Sequence, residues 1–209
     1  MKRILSVVSA ILCSISAMAQ LQNANEPTLA EIAKANEKIS TIQCPFSRTQ
    51  KLEGMTKATS SDGSFYYTKP SQLAMVYTDG EVFVINNDQV SVGKDGKVRN
   101  LKASNKHVED LASTLLACMS GKVSSLNGTL KKTDKTAKQI VYTIAVDYKM
   151  GRSKVTQLEL KYDKADLTLV SLKLTEQDGS FTTYELKSKS LNKEISADIY
   201  AVKKTKKSK

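Results

Sequence analysis

The sequence predicts a mainly β domain with two helices, organised as one large and strongly curved antiparallel sheet. Three observations support this fold class. Apolar and polar residues alternate over many short segments, which is the periodicity of a strand with one buried face. Asp-Gly and Asn-Asn dipeptides separate several of these segments and suit the tight turns of antiparallel hairpins. Helical spacing of apolar residues occurs in two stretches, 28–40 and 105–119.

The stretch GSFYYTKPSQLAMVY, from Gly63 to Tyr77, is the predicted centre of the sheet. Two extended segments meet at Lys69-Pro70, and large side chains fall on one face of both segments. These side chains are Phe65, Tyr67, Leu73, Met75 and Tyr77. If this face points inward, it forms an apolar wall with Lys69 at its edge. Because a buried, unpaired ammonium is costly, we expect Lys69 to lie at a mouth or to find an acceptor.

The chain before this stretch predicts one helix followed by one strand. Pro27 precedes a segment in which Leu29 and Ile32 follow helical spacing, and a proline near the first turn leaves no helical hydrogen bond unmade. Residues 42–46 then alternate as in a strand. Pro45 has no N–H to give to a β-ladder, so it predicts an edge strand or a bulge, and hence a sheet with a free edge.

The rest of the chain predicts strands on both sides of the second helix. Residues 54–103 predict a meander of antiparallel strands. The helix at 105–119 carries an apolar stripe, and Gly121 is well placed to end it. The stripe consists of Val108, Leu111, Ala112, Leu115, Leu116 and Met119. After the Asn127-Gly128 turn, four more alternating segments follow, at 138–147, 153–162, 167–176 and 181–189.

The N-terminus has the features of a signal peptide. A basic start at residues 2–3, an apolar run at 4–15 and a small-x-small pattern at 17–19 predict cleavage before Gln20 and export to a periplasm or out of the cell. The apolar run is shorter than the roughly 20 residues that span a bilayer. The expected organisation is a signal peptide at 1–19, a single domain at 20–202 and a basic, disordered tail at 203–209.

The charge of the chain is concentrated in its predicted signal peptide and tail. The formal net charge is +11, but without the signal peptide and the tail lysines the body carries about +4. Such a body does not predict a nucleic-acid partner. The tail has two interpretations, solvated disorder or transient contact with anionic lipid head groups at a membrane surface.

Two cysteines, Cys44 and Cys118, remain after removal of the signal peptide. Disulfides persist in an oxidising compartment, so one alternative is a bridge between them. The other alternative is two separately buried thiols that act as small apolar side chains.

The sequence offers no candidate for catalysis. His107 is its one histidine, and no group of Cys, His and Asp residues has the spacing of metal ligands. Glu109 and Asp110 fall in the predicted first turn of the second helix, where carboxylates interact favourably with the helix dipole. We therefore expect a protein that is not an enzyme, has no metal or cofactor, and carries His107 on its surface.

The apolar wall and the striped helix predict a common hydrophobic region. A curved sheet needs its concave face covered, and the helix stripe is suited to cover it. Two interpretations are open from the residues alone, a dry core or a cavity that accepts a hydrophobic ligand. The candidate ligand-binding residues are Phe65, Tyr67, Leu73, Met75 and Tyr77 on the sheet and Leu111, Leu115, Leu116 and Met119 on the helix.

Several short motifs resemble those of a known family. The motifs are Phe46-x-x-x-Gln50, Gly63-x-Phe65-x-x-x-Lys69-Pro70 and Leu73-x-Met75-x-Tyr77. In these motifs and in its order of elements, the chain resembles the outer membrane lipoprotein carrier protein (LolA) family. The resemblance implies an unclosed β-barrel whose hydrophobic concavity is lidded by helices. It also implies a periplasmic carrier that accepts acylated lipoproteins from an inner-membrane exporter and passes them to an outer-membrane acceptor.

The resemblance also assigns roles to individual residues. The family typically has an arginine before this proline that contacts the lid, and Lys69 stands there with the charge but without the planar fork. Lys69 is therefore the candidate lid latch. Met75 stands where the family commonly has tryptophan, and its flexible thioether suits acyl chains. A bridge between Cys44 and Cys118 would pin the first strand to the inserted helix and limit lid motion.

Three functions remain open at this point. The first is a periplasmic carrier of lipoproteins. The second is a binder of another amphiphile, such as a glycolipid or a pigment precursor, on the same scaffold. The third is a non-binding structural or adhesive module with a filled core. For the carrier we expect a monomer.

Overall fold

The described part of the chain contains an antiparallel sheet of twelve strands, two α-helices and two short 3-10 helices, Val123–Ser125 and Ala197–Ile199. The computed structural model describes residues 27–87, 89–101, 106–126, 128–150 and 153–201. The helices are α1 (Leu29–Asn36) and α2 (Lys106–Ser120). The strands are β1 (Thr41–Lys51), β2 (Thr59–Thr68), β3 (Gln72–Tyr77), β4 (Glu81–Asn86), β5 (Gln89–Lys94), β6 (Lys97–Leu101), β7 (Thr129–Lys135), β8 (Gln139–Met150), β9 (Ser153–Asp163), β10 (Leu169–Glu176), β11 (Phe181–Leu186) and β12 (Ser190–Leu191).

Some expectations from the sequence fall outside the described residues. These are the signal peptide, the basic tail, Asn127 of the predicted turn, and the side chains of His107, Val108 and Glu109.

The sheet is open. Its strands lie in the order β6-β5-β4-β3-β2-β1-β11-β10-β9-β8-β7, and β12 pairs with β1. Within the described ranges, no pairing joins the outer strands β6 and β7. Helix α2 packs on one face of the sheet, against β5, β8 and β10, and we call this the inner face. The predicted fold class, a mainly β chain with an unclosed antiparallel sheet lidded by helices, is confirmed.

Pro45 does not mark an edge strand, and this expectation was wrong. Strand β1 lies inside the sheet, between β2 and β11. The Pro45 carbonyl accepts a hydrogen bond from the N–H of Lys187 at 2.9 Å, just beyond the end of β11 at Leu186 and before β12. Pro45 therefore faces the gap between β11 and β12, where the regular pairing of β1 on this side is interrupted. No regular ladder hydrogen bond is lost through the absence of an N–H on Pro45. The free edges of the sheet are β6 and β7.

The edge strand β7 was not predicted, and its composition explains why. The segment from Thr129 to Lys135 is TLKKTDK, which lacks alternating apolar residues, and most of it is exposed. It pairs with β8 on one side only. Charged side chains on an exposed edge discourage pairing with other chains, so a polar sequence is suited to this position.

Both helices begin or end as their sequences predict. Thr28 is the N-cap of α1, and its hydroxyl and the Glu31 carboxylate form a capping box, so Pro27 lies just before the cap. Gly121 follows the last residue of α2 with φ of 72°, a left-handed conformation that favours glycine. An added Cβ on Gly121 would lie 3.0 Å from the Cα of Ala33 in α1. The glycine therefore also lets the end of α2 approach α1.

A C-terminal segment crosses the outer face of the sheet. Tyr200 is buried there with Ala74 and Val84, in a small cluster separate from the main core. Its hydroxyl and that of Thr68 are 2.9 Å apart, and its carbonyl accepts a bond from the side chain of Asn86 at 3.4 Å. The chain after β12 therefore braces strands β2 to β4 from behind.

Candidate functional site

The nine candidate ligand-binding residues lie together between the sheet and α2. All of them belong to, or pack against, one hydrophobic cluster that occupies the inner face. Two of them, Leu111 and Leu116, are half-buried, and the other seven are buried. The structure thus brings the predicted wall and the predicted helix stripe into contact. Whether these residues bind a ligand remains a prediction.

The strand register explains how distant segments meet on this face. Phe65 pairs with Met75, and Met75 pairs with Phe83. Phe83 pairs with Val92, which in turn pairs with Arg99. We call Met75, Phe83 and Val92 the apolar row, and it ends at Arg99 on the edge strand β6. The neighbouring charged row consists of Glu81, Lys94 and Lys97, which are paired in the same order across β4, β5 and β6.

The deep part of the site is filled. Only about 10 Å³ of free space remains between Phe65, Met75 and Leu172 on the sheet and Leu115 and Met119 on α2. A water molecule needs roughly 10–15 Å³, so this region holds no ligand-sized void. A ligand could enter the deep part only if the side chains that line it moved apart.

Nearer the sheet edge, a cavity of about 450 Å³ opens between α2 and strands β3 to β6. Its walls include the apolar row together with Tyr77, Leu111 and Leu115. This volume lies within the range of ligand pockets, about 300–1,000 Å³. The cavity therefore offers an entrance to the interface that α2 covers.

Charged side chains at this cavity were missed by the sequence analysis. Arg48 lies over the ring of Tyr77, with its Cζ 4.4 Å from the ring centroid, and contacts the Glu81 carboxylate at 3.4 Å. Lys94, Lys97 and Arg99 also line the cavity. The alternation of side chains along β4 to β6 could have identified these three residues, because it places them on the same face as the aromatic wall.

Lys69 contacts helix α1. Its Nζ donates to the backbone carbonyls of Asn36 at 2.5 Å and Glu37 at 2.9 Å, at the C-terminal end of α1. A cation there satisfies helix carbonyls and interacts favourably with the helix dipole. Desolvation and the nearby cation of Lys122 lower the pKa of Lys69, whereas Glu37 opposes them. Lys69 also borders a cleft of about 300 Å³. This amine was expected to lie at a mouth or to find an acceptor, and the structure has both.

Tyr67 carries an unsatisfied polar group in the core. Its side chain is 1% exposed, and its hydroxyl has no hydrogen-bond partner among the described residues. Burial raises the pKa of Tyr67 to about 12, so the hydroxyl stays protonated and able to donate. A buried polar group without a hydrogen-bond partner lowers the stability of the folded protein by about 1–3 kcal/mol, and native structures contain few such groups.

Cys44 and Cys118 are free thiols, and both are buried. Of the two alternatives, the structure therefore has the separately buried side chains and not the bridge, and no bond pins β1 to α2. Burial raises the pKa of Cys44 to about 11, although Lys189 and the N–H of Lys187 act in the opposite direction. Burial likewise raises the pKa of Cys118 to about 12.

We expect both thiols to react slowly in the folded protein. The thiolate is the reactive form, and at pH 8.5 these pKa values leave roughly a hundredfold less thiolate at Cys44, and roughly a thousandfold less at Cys118, than in the unfolded chain. Iodoacetamide labelling at pH 8.5, followed by mass spectrometry, should modify neither cysteine in the native protein and both in urea without reductant. Absence of labelling in urea, restored by reductant, would contradict the free thiols.

The same pKa shifts predict loss of stability at high pH. The unfolded chain releases its thiol protons above about pH 8.5, whereas the folded chain retains them to about pH 11 and 12. This contribution to the free energy of unfolding is complete below pH 8.5 and decreases as pH rises through the folded pKa values. The free energy of unfolding, measured with urea, should decrease between pH 7.5 and pH 10 in the parent protein. It should decrease less in the double variant Cys44→Ala/Cys118→Ala, which lacks both thiols.

The described residues give no sign of a metal site or a membrane-spanning helix. No group of three or more His, Cys, Asp and Glu side chains in this part of the chain is placed to hold a metal ion. None of the helices described is both long and apolar enough to cross a membrane.

Comparisons with solved structures show the fold. An outer membrane lipoprotein-sorting protein domain from Vibrio parahaemolyticus has a TM-score of 0.51 and 11% sequence identity, covering 82% of this chain and 94% of that one. An uncharacterised conserved protein from Thermus thermophilus also has a TM-score of 0.51, at 9% identity, covering 82% of this chain and 90% of that one. At such low identities, these likenesses show the fold alone. No curated protein matches the sequence.

The family model that matches the sequence covers most of the domain. It is the model of the outer membrane lipoprotein carrier protein LolA, and it matches residues 37–203. The match includes strands β1 to β12 and α2, and it confirms the resemblance that the motifs around Lys69-Pro70 indicated. This chain therefore belongs to the LolA family of outer membrane lipoprotein carrier proteins.

Proposed function

We propose that this protein is a periplasmic carrier that shields the acyl chains of lipoproteins between α2 and the inner face of its sheet. It accepts these lipoproteins from an inner-membrane exporter and delivers them to an outer-membrane acceptor. Family membership supports a carrier role. The observation that carries the proposal is the apolar interface of nine side chains beneath α2, which contains the unsatisfied hydroxyl of Tyr67.

The filled interface provides a mechanism for reversible binding. Burying each methylene of an acyl chain stabilises the complex by roughly 0.8 kcal/mol, so a lipid with several chains needs a shield to cross water. Here Leu115 and Met119 of α2 already cover Phe65 and Met75. An entering chain must displace α2 from the same wall, which offsets part of the binding free energy. Release to an acceptor is favoured because α2 then returns to the wall.

Lys69 connects the cargo wall to helix α1. It follows β2, the strand of Phe65 and Tyr67, and its amine holds two carbonyls at the end of α1. The side chain of Asn36, in the last turn of α1, donates to the Leu167 carbonyl at 2.8 Å. We propose that Lys69 is the lid latch, and that α1 is released when cargo shifts the wall beneath it.

Tyr67 is suited to recognise the polar part of an acyl chain. Lipoprotein acyl chains end in ester or amide carbonyls, which accept hydrogen bonds. A carbonyl that enters with its chain can accept a hydrogen bond from the Tyr67 hydroxyl and remove the cost of burying that group unpaired. Cargo binding thus gives the Tyr67 hydroxyl the hydrogen-bond acceptor that it lacks in the empty protein.

Tyr67→Phe tests this role. We expect the variant to unfold at the same or a slightly higher urea concentration, because it removes an unsatisfied group. We also expect about fivefold to tenfold weaker binding of a triacylated lipopeptide, the effect of one lost hydrogen bond. Displacement of the neutral probe N-phenyl-1-naphthylamine by the lipopeptide measures the affinity of the parent protein and that of the variant. An unchanged lipopeptide affinity would contradict the proposed hydrogen bond, and Tyr66→Phe, a change in the neighbouring residue of the same strand, is the matched control.

The carrier function itself requires a transfer assay. Inner-membrane vesicles that contain a triacylated lipoprotein and its exporter are incubated with ATP and the purified mature protein. We expect the lipoprotein to leave the vesicles in a water-soluble complex with one copy of this protein. Retention of the lipoprotein in the vesicles, with an exporter that is active toward a known carrier, would overturn the proposal.

A binder of another amphiphile is the second candidate function, and the charged cavity favours it. Mass spectrometry of the protein purified from its native periplasm without detergent separates the candidates. A triacylated peptide supports the lipoprotein carrier, whereas a different bound lipid supports the second function. An empty protein that also excludes the neutral probe would favour a structural or adhesive module.

A further inference from the structure

The cavity between α2 and strands β3 to β6 has an uneven distribution of charge. Four cations line it, Arg48, Lys94, Lys97 and Arg99, together with one carboxylate, that of Glu81. This excess of positive charge lies beside the apolar row and the side chains of α2. A cavity with apolar walls and a cationic margin has the two surfaces that an anionic amphiphile requires.

The carboxylate is already engaged by two of the four cations. Glu81 contacts Arg48 at 3.4 Å and Lys94 at 3.8 Å, and Lys94 also contacts Asp79 at 3.2 Å. Lys97 and Arg99 have no ion-pair partner among the described residues. Both lie on the edge strand β6, and both are exposed. Within the described part of the chain, two cations without an ion-pair partner therefore border the cavity.

The register places these two cations next to different parts of the cavity. Arg99 is paired with Val92 at the end of the apolar row, and Lys97 is paired with Lys94 in the charged row. A chain that follows the apolar row outward from Met75 thus reaches Arg99 at the sheet edge. The neighbouring charged row brings Lys97 to the same edge.

We propose that this cavity binds amphiphiles with a negatively charged head group next to a single acyl chain. The chain packs on the apolar row and on Leu111 and Leu115, while a carboxylate or phosphate interacts with Arg99 and Lys97. This inference deepens the proposed function and rests on it in one respect, that the interface beneath α2 admits acyl chains. It adds a preference for the sign of the head-group charge.

The chemistry of the two side chains supports this preference. Arginine presents a planar fork that binds carboxylate or phosphate through two parallel hydrogen bonds, and lysine adds a second positive charge. Apolar walls concentrate the field of these charges in the cavity. Since both cations are exposed, each contributes up to about fivefold in affinity. A neutral head group can accept a hydrogen bond from either side chain but gains no charge–charge attraction.

Competition against N-phenyl-1-naphthylamine with matched ligands tests the proposal on the full mature chain. The ligands are dodecanoate, dodecyl phosphate, dodecanol and inorganic phosphate. We expect dodecanoate and dodecyl phosphate to bind about tenfold more tightly than dodecanol, and inorganic phosphate not to compete. High salt should reduce the difference, because it screens exposed charges.

Variants identify the groups responsible. Arg99→Gln and Lys97→Gln should each weaken dodecanoate binding about threefold, so that the two losses together account for the tenfold preference, and should leave dodecanol binding unchanged. Arg99→Lys should retain more of the preference than Arg99→Gln, because it retains the charge. The matched control is Lys57→Gln, which removes an exposed lysine outside this cavity and should change neither affinity.

The outcomes distinguish failure of this inference from failure of the carrier function. Equal affinity for dodecanol and dodecanoate would overturn the inference and leave lipoprotein transfer unaffected. Competition by inorganic phosphate as strong as that by dodecyl phosphate would also overturn it, because the cations would then form a plain anion site. A clear preference for dodecanoate without lipoprotein transfer would support the inference and overturn the carrier function.

Discussion

Leu115→Asp is expected to lower the free energy of unfolding by about 3–5 kcal/mol and to abolish uptake of a neutral hydrophobic probe. Leu115 is 4% exposed and lines both the filled interior and the open cavity. An aspartate there loses apolar packing and places a carboxylate among the apolar side chains of the interior. The measurements are urea unfolding and N-phenyl-1-naphthylamine fluorescence at temperatures where the variant remains folded.

Ser113→Asp is the matched control for this prediction. It introduces the same charge on the same helix at an exposed position. We expect its unfolding free energy to stay within about 0.5 kcal/mol of the parent value, with normal probe uptake. If Leu115→Asp were as stable as Ser113→Asp, α2 would not pack on the sheet as described. If folded Leu115→Asp took up the probe normally, the interface beneath α2 would not be the binding site.

Gly63→Ala is expected to destabilise the protein by about 3 kcal/mol, because the sheet has no room for a side chain there. Gly63 is paired with Phe46 of β1 on one side and Tyr77 of β3 on the other. The two rings meet edge to face across it, with centroids 5.0 Å apart. An added Cβ would lie 2.3 Å from the Val76 carbonyl oxygen and 2.7 Å from the Phe46 ring. Urea unfolding measures the loss.

The control for this prediction is Ser64→Ala in the next residue of β2. Ser64 is exposed, so we expect a change within about 0.5 kcal/mol. Gly63 is paired with both Phe46 and Tyr77. Gly63→Ala should therefore also disturb the contact of Arg48 with the Tyr77 ring at the cavity. If Gly63→Ala were as stable as the parent protein, the prediction would be wrong. The backbone of β3 would then move aside more easily than is expected of a strand paired on both sides.

The sequence by itself determined both helices, most of the strands and the residues of the hydrophobic site. Alternation placed Phe65, Met75 and Tyr77 on one face, and helical spacing placed Leu115 and Met119 on another. The structure packs these two faces together, because a curved sheet and an amphipathic helix must bury their apolar sides against something. The Lys69-Pro70 motif also led to the correct family.

Only the tertiary structure decided the position of Pro45, the state of the two cysteines and the charged margin of the cavity. These features depend on which strands become neighbours, and local periodicity carries no information about pairing. Pro45 lies inside the sheet because the break between β11 and β12 faces it. Arg99 reaches the apolar row through register alone, across three strand pairings from Met75. Sequence patterns assign a side chain to a face, whereas pairing and register determine its neighbours there.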